Sequence, residues 1–563
     1  MNDPRLASAQ ALLRGGRTGL AIASLRTLVG DSPDFAAGHF ELARALGATG
    51  DRVAAEAAFR AALVADPAYA PAAAALAALL NGRRAGAEAL AVLAPFIGDA
   101  EAGADIYSAQ AVALKLLGRL DEAAKAWRRA VEAAPADGVA EHNLAGVLGD
   151  AHDFAGSEAA TRRAFSKGID APETWLVRGR ALQGLGEFDE AEAAFRQALQ
   201  RRPYYADAHG DLAQLIWMRT EDAAEAGAAL DAALEVKPGD APMSIAKAKL
   251  LEYVGDRTGA YEAIRVAIGR DPANPELHVT AANLIVYSDA TFALEHAERA
   301  LSITPGSAPA ETAVCQANLA VGRPEIAARI AEGLCRDWPL DQFPIALAAT
   351  AWRMLGDPRY RELYNYDRVV RVRTIETPHG WSNLESFLGD LAARLRALQQ
   401  LKAHPIGQSL RSGTQTGQSL ALSEDPVIRA FFTALDAPIR DYITTWKSGE
   451  DGRGGRATGD YRFSGAWSAL LRPGGFHTNH LHPMGWISSA CHIVVPQSVE
   501  QGRQGWLTFG EPGIPTDPPL AAEHFIKPHA GDLVLFPSYM WHGTVPFSGD
   551  EPRLTTAFDV LPA

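Results

Sequence analysis

A proline recurs along much of this 563-residue chain at intervals close to 34 residues. The successive intervals are 34, 68, 68, 35, 34, 33 and 34 residues, and each interval of 68 spans two units with one proline missing. The prolines of this series are Pro33, Pro67, Pro135, Pro203, Pro238, Pro272, Pro305 and Pro339. A fixed period of this length is typical of a stacked array in which each unit packs against its neighbours.

A glycine lies 17 residues before several of these prolines and gives each unit a second fixed point. Glycine permits a tight turn between two antiparallel helices, and proline ends the second helix. Small residues such as Ala191 and Ala198 allow the helices to pack closely, and one large residue per unit fills the space between layers. The glycines are Gly50, Gly118, Gly186, Gly255 and Gly322, and the large residues are Phe59, Trp127, Phe195 and Ile264.

This pattern resembles the tetratricopeptide repeat family, with about ten repeats in residues 1–345. The resemblance implies an all-α superhelix whose concave face binds a peptide or protein segment. A rigid spacer or a dimerisation arm is the alternative use of such an array. The sequence gives no indication of the oligomeric state.

The period fades after Trp352, and residues 346–403 are predicted to form a helical connector without repeats. A helical stripe of apolar residues supports this prediction: Leu384, Phe387, Leu388, Leu391, Leu395 and Leu398. From residue 404 onward, glycine and proline turns separate short β-type runs. These runs are 465–472, 486–495, 505–509, 532–536 and 554–561. Residues 404–563 are therefore predicted to form an all-β domain, a sandwich or jelly roll.

Six of the 15 histidines fall in or near two stretches of this β-domain. They are His477, His480, His482, His492, His529 and His542. His480 and His482 are two residues apart, so their side chains share one face of a strand. His542 follows a later strand, which a jelly roll can bring beside an early one. Three histidines on one face could bind a metal ion and leave positions open for substrate and oxygen. Surface polar residues beside a turn are the alternative.

Arg553 and Thr555 share one face of the last predicted strand, and Arg553 follows His542 by 11 residues. An arginine beside a hydroxyl is well suited to bind a carboxylate through two parallel hydrogen bonds. Together with a His-x-His-Pro segment and a Gly-Asp-Leu-Val-Leu-Phe-Pro-Ser…His…Arg segment, this makes residues 408–560 resemble the 2-oxoglutarate- and Fe(II)-dependent oxygenase superfamily. Residues 408–416 and 505–512 are also similar to this group.

The resemblance implies a double-stranded β-helix and a dioxygenase that uses Fe(II) and the cosubstrate 2-oxoglutarate. His480 is then the first iron ligand and His542 the distal one. Arg553 pairs with the distal carboxylate of 2-oxoglutarate, and Thr555 assists. Decarboxylation of 2-oxoglutarate to succinate accompanies hydroxylation of a C–H bond, and the repeats are expected to present a peptide or protein substrate.

One position departs from the wider superfamily, which has Asp or Glu two residues after the first histidine where this chain has His482. A neutral third histidine is expected to weaken Fe(II) binding. His482 is either a metal ligand or a spectator beside a water or substrate ligand. The group also tends to have Tyr where this chain has His492. His477, three residues from His480, is expected to face the other way and to support the site structurally.

The overall charge excludes some classes of function. A net charge of -14 and a pI of about 5.6 argue against nucleic acid as the main partner. No apolar run long enough for a transmembrane helix occurs, and three cysteines fit no disulfide or zinc pattern, so a cytoplasmic location is expected. Two other functions stay open: an inactive repeat scaffold for protein–protein interaction, and a cupin-like metalloenzyme that does not use 2-oxoglutarate.

Overall fold

The computed structural model of this chain describes residues 3–98, 102–445 and 459–563. It divides into two compact units, Met1–Arg201 and Arg202–Ala563. The predicted fold class, helical repeats followed by an antiparallel β-region, is confirmed. The predicted domain limits at residues 345 and 403 stay a prediction. None of the helices in the described ranges combines the length and the apolar character needed to cross a membrane.

The first unit consists of antiparallel helix pairs. Its helices are α1 (Pro4–Arg14), α2 (Thr18–Asp31), α3 (Ala36–Ala48), α4 (Arg52–Ala65), α5 (Ala70–Gly82), α6 (Gly86–Leu93), α7 (Ala104–Leu116), α8 (Leu120–Ala133), α9 (Gly138–Asp150), α10 (Phe154–Ser166), α11 (Pro172–Leu185) and α12 (Phe188–Arg201). Gly186 ends α11 in the left-handed conformation, with φ of 83°, as the predicted turn requires. Phe195 is fully buried, and its ring lies so close to Gly179 that an added Cβ there would be 2.4 Å away.

The second unit begins with further helix pairs of the same kind. They are α13 (Ala206–Thr220), α14 (Ala223–Val236), α15 (Ala241–Tyr253), α16 (Arg257–Arg270), α17 (Pro275–Ile285), α18 (Ala290–Ile303), α19 (Ala308–Ala320), α20 (Pro324–Asp337) and α21 (Gln342–Leu355). Ile264 is fully buried in α16, as its place in the repeat predicts. The repeat pattern therefore continues up to the segment that precedes the β-region.

The connector is more varied than the sequence indicated. It contains α22 (Arg359–Leu363), α23 (Tyr366–Val369), the strand β1 (Arg371–Thr374) and α24 (Leu384–Ala397). β1 is an edge strand of a sheet, and it pairs with a strand about 160 residues further along the chain. Phe387, Leu391 and Leu395 of the predicted stripe are fully buried in α24, whereas Leu398 is exposed.

The β-region contains two antiparallel sheets. Its strands are β2 (Leu410–Gln415), β3 (Tyr461–His477), β4 (Ile487–Val494), β5 (Leu507–Phe509), β6 (His524–Ile526), β7 (Asp532–Pro537), β8 (His542–Thr544) and β9 (Arg553–Pro562). One sheet has the order β1-β7-β4-β9-β3-β2, and the other has the order β6-β5-β8. The five predicted strands correspond to β3, β4, β5, β7 and β9. The antiparallel ladder of β9 with both β3 and β4 places the last strand in the centre of the larger sheet.

The prediction that residues 404–563 are all β is wrong in one part, because a helix that was not predicted, α25 (Pro426–Thr444), lies within them. Asp425 caps its first turn by accepting hydrogen bonds from the amides of Val427 and Ile428. Its buried residues are Val427, Ile428, Phe431, Leu435, Ile439, Tyr442 and Ile443. These residues join α24 and the larger sheet in one hydrophobic core.

Candidate metal and cosubstrate site

A cavity of about 600 Å³ opens within the second unit, in the size range typical of small-molecule sites, ~300–1,000 Å³. All five residues predicted as metal ligands or cosubstrate contacts line it: His480, His482, His542, Arg553 and Thr555. Residues of β2, β3, β8 and β9 contribute to its wall. The structure therefore brings the predicted site residues together around one space.

The three histidines are positioned by backbone pairing between distant segments. His480 and His542 form an antiparallel bridge, with N···O distances of 2.8 and 2.9 Å in the two directions. The amide of His482 donates to the carbonyl of Ser538 at 3.0 Å. One potential ligand atom from each imidazole lies within 4.8 Å of the others. This spacing is compatible with a single metal ion held by three imidazole nitrogens.

Hydrogen bonds at the Nδ1 atoms determine which nitrogen each histidine offers. Nδ1 of His480 lies 2.8 Å from the carbonyl of Thr478, and Nδ1 of His542 lies 2.9 Å from the carbonyl of Met540. Because a carbonyl oxygen only accepts, both Nδ1 atoms carry the proton and both Nε2 atoms keep a lone pair. Second contacts of this type fix the tautomer and orientation of a metal-binding imidazole.

His482 is oriented by a carboxylate instead. Its Nδ1 lies 2.6 Å from Oδ1 of Asp559, which also accepts a hydrogen bond of 2.6 Å from the hydroxyl of Ser488. The Nε2 atom of His482 is thereby left as the potential ligand. Asp559 was not singled out from the sequence, since its role depends on the pairing of Ser488 with Asp559 between β4 and β9.

Burial keeps the imidazoles of His480 and His542 neutral. Burial, followed by the neighbouring His482, lowers the pKa of His480 to about 3. The pKa of His542 is also held well below its ordinary value by burial and then by His480. Neutral imidazoles are the form that binds a metal ion, so these residues fit the donor set that such an ion needs.

Arg553 is a buried cation with unused donors. Its side chain is 2% exposed, Nη1 donates to the carbonyl of Gly505, and Nη2 lies 3.3 Å from Nδ1 of His492. Its Nε atom has no hydrogen-bond partner, and no carboxylate of the described residues lies within 4.0 Å of the guanidinium. Burial lowers the pKa of Arg553 to about 10. A buried, unpaired guanidinium at a cavity wall fits a carboxylate ligand.

His492 and Thr555 flank this arginine in different ways. Thr555 lies two residues after Arg553 on the same face of β9, and it lines the cavity. In the sheet it pairs with His492 of β4. His492 is fully buried, and its pKa is lowered by burial and then by Arg553. As a neutral imidazole it accepts from Arg553 and orients the guanidinium. His492, at a position where the related group tends to have Tyr, therefore helps to hold the Arg553 guanidinium in place.

Ser409 adds a hydroxyl beside the histidines that the sequence did not indicate. Its Oγ lies 3.0 Å from Nδ1 of His477 and 3.2 Å from Nε2 of His480. His477 also lines the cavity, so the prediction that it faces away from His480 is wrong, although its contact with Ser409 fits a supporting role. Ser409 lies just before β2, and only the pairing of β2 with β3 brings it to the site.

Comparisons with known families agree with this architecture. Residues 465–559 match a family described as "Putative 2OG-Fe(II) oxygenase". Residues 6–70 and 176–241 match one tetratricopeptide repeat family, and residues 104–137 match another. Both of the resemblances drawn from the sequence are thus confirmed. The matched oxygenase segment contains the three clustered histidines as well as Arg553, Thr555 and Asp559, and its description implies Fe(II) and 2-oxoglutarate.

Similar solved structures are helical repeat proteins. They include pilF of Pseudomonas aeruginosa, with 16% identity and a TM-score of 0.34 over 37% of this chain and 94% of that chain. A tetratricopeptide repeat protein from Parabacteroides merdae has 17% identity and a TM-score of 0.35 over 41% of this chain and 91% of that chain. Yeast Tom70 has 12% identity and a TM-score of 0.37, covering 79% and 97%. With scores this low, none of these likenesses bears on function. No curated protein matches the chain at a significant level.

Proposed function

Because this chain joins tetratricopeptide repeats to a segment that matches an oxygenase family, we propose that it is a 2-oxoglutarate- and Fe(II)-dependent dioxygenase acting on a peptide or protein side chain. The observation that carries the proposal is the joint presence of three clustered imidazoles and a buried guanidinium without a carboxylate partner around one cavity. A metal ion and a dicarboxylate are the two ligands that such a wall accommodates together.

His480, His482 and His542 hold the metal ion through their Nε2 atoms in this proposal. When bound, Fe(II) supplies the activation of oxygen that is coupled to decarboxylation of 2-oxoglutarate. Asp559 contributes the negative charge that an acidic ligand provides in the wider superfamily, but it does so through the imidazole of His482. His482 is therefore a ligand in this proposal, not a spectator.

Arg553 binds the distal carboxylate of 2-oxoglutarate, and the hydroxyl of Thr555 assists. The Arg553 guanidinium is held by Gly505 and His492, so it presents its remaining donors without losing further side-chain freedom. Its burial excludes water, and a charged hydrogen bond is strongest in such surroundings. These residues bind and orient the cosubstrate, whereas the oxidation belongs to the metal.

The repeats are proposed to bring the substrate to this cavity. Tyr253, at the end of repeat helix α15, lines the cavity beside residues of β2. A segment bound on the concave face of the repeats in the second unit could therefore place a side chain in the cavity. A cytoplasmic location stays a prediction from the cysteine usage.

Anaerobic titration of Fe(II) and 2-oxoglutarate into the apo-protein tests the proposal through the visible metal-to-ligand charge-transfer band that the family resemblance implies. We expect a band in the wild-type protein, its loss in His480→Ala, and its weakening in Arg553→Ala. Metal binding without a band would favour a cupin-like enzyme, for which Arg553 is structural. Absence of metal binding would favour a repeat scaffold with an inert β-domain.

A further inference from the structure

The cavity contains a second arginine, and the geometry points to a substrate that carries a carboxylate, bound by Arg411 next to the three histidines. This inference rests on the proposed function, because it specifies the substrate class of the same site. The carboxylate belongs either to an acidic side chain of a peptide or to a small free acid. No bond is made or broken at this subsite, which holds and orients the substrate.

Arg411 is close to the histidine cluster through the backbone ladder of β2. It lies two residues after Ser409, whose Oγ is 3.2 Å from Nε2 of His480. Residues two apart on an extended strand lie on one face, roughly 7 Å from each other. The ladder continues through both positions, since Thr478 donates to the Ser409 carbonyl at 2.9 Å and Arg411 pairs with Phe476.

The guanidinium of Arg411 is held beside Ser409. Its Nη1 donates to the carbonyls of Gln408 at 2.8 Å and Leu410 at 2.9 Å, which flank Ser409 in the chain. Its Cζ also lies 5.4 Å from the ring centroid of Tyr253, on repeat helix α15. Anchored on one side by backbone carbonyls and on another by an aromatic ring, the group is positioned before a ligand arrives.

The remaining donors of Arg411 are unused. Nη2 and Nε form no hydrogen bond to the described residues, and no carboxylate among those residues lies within 4.0 Å. Glu252 and Arg257 are the charges that act on Arg411 from the repeats, and they carry opposite signs. The position therefore keeps a net positive charge, although burial lowers the pKa of Arg411.

Arg472 shows what a purely structural arginine does in the same part of the molecule. It lies on β3 and pairs with Glu221 at the end of repeat helix α13, so its charge is already matched. Arg411 faces the repeats from the neighbouring strand and has no such partner. Asp559, a carboxylate of the cavity wall, is occupied by His482 and Ser488. A carboxylate from outside the chain is thus the ligand that Arg411 lacks.

Binding of blocked tripeptides tests the inference. The Zn(II)-loaded protein saturated with 2-oxoglutarate is titrated with acetyl-Ala-Glu-Ala-amide, its Gln counterpart and propionate, and binding is followed by ligand-observed NMR. We expect wild type to bind the Glu peptide at least ~10-fold more tightly than the Gln peptide, since hydrogen bonds to a charged group are worth ~1.5–3 kcal/mol. Tighter binding of the Glu peptide than of propionate indicates a peptide source, and the reverse indicates a small acid.

Matched variants locate the effect. Arg411→Gln should abolish the preference for the acidic probe, Arg411→Lys should keep part of it through the point charge, and Arg472→Gln should retain it fully. Melting temperatures identify a variant that fails to fold, in which case Arg411→Lys carries the test. Equal binding of the acidic and neutral probes to wild type, or an unchanged preference in Arg411→Gln, overturns the inference.

The charge-transfer titration separates this inference from the proposed function. If Arg411→Gln loses the acidic preference but keeps the band with Fe(II) and 2-oxoglutarate, the substrate subsite and the proposed function both stand. If wild type gives no band, the titration is repeated on the protein without metal or cosubstrate. A preference for the acidic probe that still depends on Arg411 then supports the subsite while the proposed function fails.

Discussion

Replacement of Asp559 by Asn tests whether a carboxylate behind an imidazole sets the metal affinity of this site. Oδ1 of Asp559 lies 2.6 Å from Nδ1 of His482 and 2.6 Å from Oγ of Ser488. Asn keeps the size and one oxygen acceptor but removes the charge. Loss of such an outer partner typically lowers metal affinity ~10–100-fold, which corresponds to roughly 1.4–2.7 kcal/mol. We expect a loss in this range, since the hydrogen bond to the imidazole survives in part.

The assay is a competition between the protein and a chromophoric chelator for Zn(II) and for Mn(II) at neutral pH. Asp532→Asn is the matched control, because Asp532 forms the same kind of pair with Nδ1 of His529, at 3.0 Å, outside the cavity. Its metal affinity should equal that of wild type. Asp559→Ala should lose more than Asp559→Asn, since it leaves the Nδ1 proton of His482 only the more distant Ser488 hydroxyl, at 3.1 Å, as an acceptor.

Three results would refute this reasoning. An Asp559→Asn affinity within about two-fold of wild type would mean that the carboxylate does not act through His482. A comparable loss in Asp532→Asn would show that the effect arises from general destabilisation of the sheet. A loss well beyond ~100-fold would instead indicate that Asp559 itself binds the metal ion.

Three further predictions concern the cosubstrate, the repeats and pH. Arg553→Lys should raise the dissociation constant of 2-oxoglutarate at least ~10-fold in calorimetry, because a lysine cannot form two parallel hydrogen bonds, and Zn(II) affinity should not change. Gly179→Ala should lower the melting temperature because the new Cβ would meet the Phe195 ring, whereas Gly146→Ala, with nothing within 4 Å, should raise stability by roughly 0.5–1 kcal/mol; equal shifts would contradict the packing. Burial and then a neighbouring imidazole lower the pKa of His296 to about 4. Because the pKa of His296 is lower in the folded state than in the unfolded state, its contribution to stability is complete at pH values above the unfolded pKa of 6.5. This contribution is lost as the pH falls from 6.5 toward 4. Lowering the pH from 7 to 5 should therefore cost wild type up to ~2 kcal/mol more than His296→Gln, measured as the shift in urea midpoint.

The repeats could be predicted because their signals are local and recur. The turn between two helices at Gly186 and the packing of the Phe195 ring on Gly179 both involve residues of one repeat unit. A short stretch of sequence therefore contains all the residues that form them. The strand β1 could not be found in this way, since its pairing partner β7 lies about 160 residues away. α25 did leave local signals, the cap at Asp425 and apolar residues at helical spacing, but they stand among glycine-rich turns typical of β-structure.

Site residues could be predicted only where their separation along the chain indicates that they lie close together. His480 and His482, two residues apart, both line the cavity, although neither lies in a regular strand as predicted, and their proximity to His542 was expected from a jelly-roll fold. Asp559 and Arg411 contribute through strand register instead. Asp559 reaches His482 because β9 pairs with β4, and Arg411 reaches the cavity because β2 pairs with β3. A register shift of one residue would turn either side chain to the opposite face, so spacing alone could not indicate them.

The charges around the cavity favour an acidic substrate once the proposed ligands are counted. Arg553 and Arg411 each contribute one positive charge to the wall and Asp559 contributes one negative charge, while an imidazole that binds a metal ion through Nε2 carries no charge of its own. The two positive charges of the metal ion cancel the two negative charges of 2-oxoglutarate. The positive charge of Arg553 cancels the negative charge of Asp559. The positive charge that remains is that of Arg411. A neutral substrate would bury Arg411 against Tyr253 without a counter-ion, and burial of an unpaired charge costs several kcal/mol. A carboxylate on the substrate removes this penalty, which is why the acidic and neutral peptides should differ in binding to wild type and should not differ in binding to Arg411→Gln.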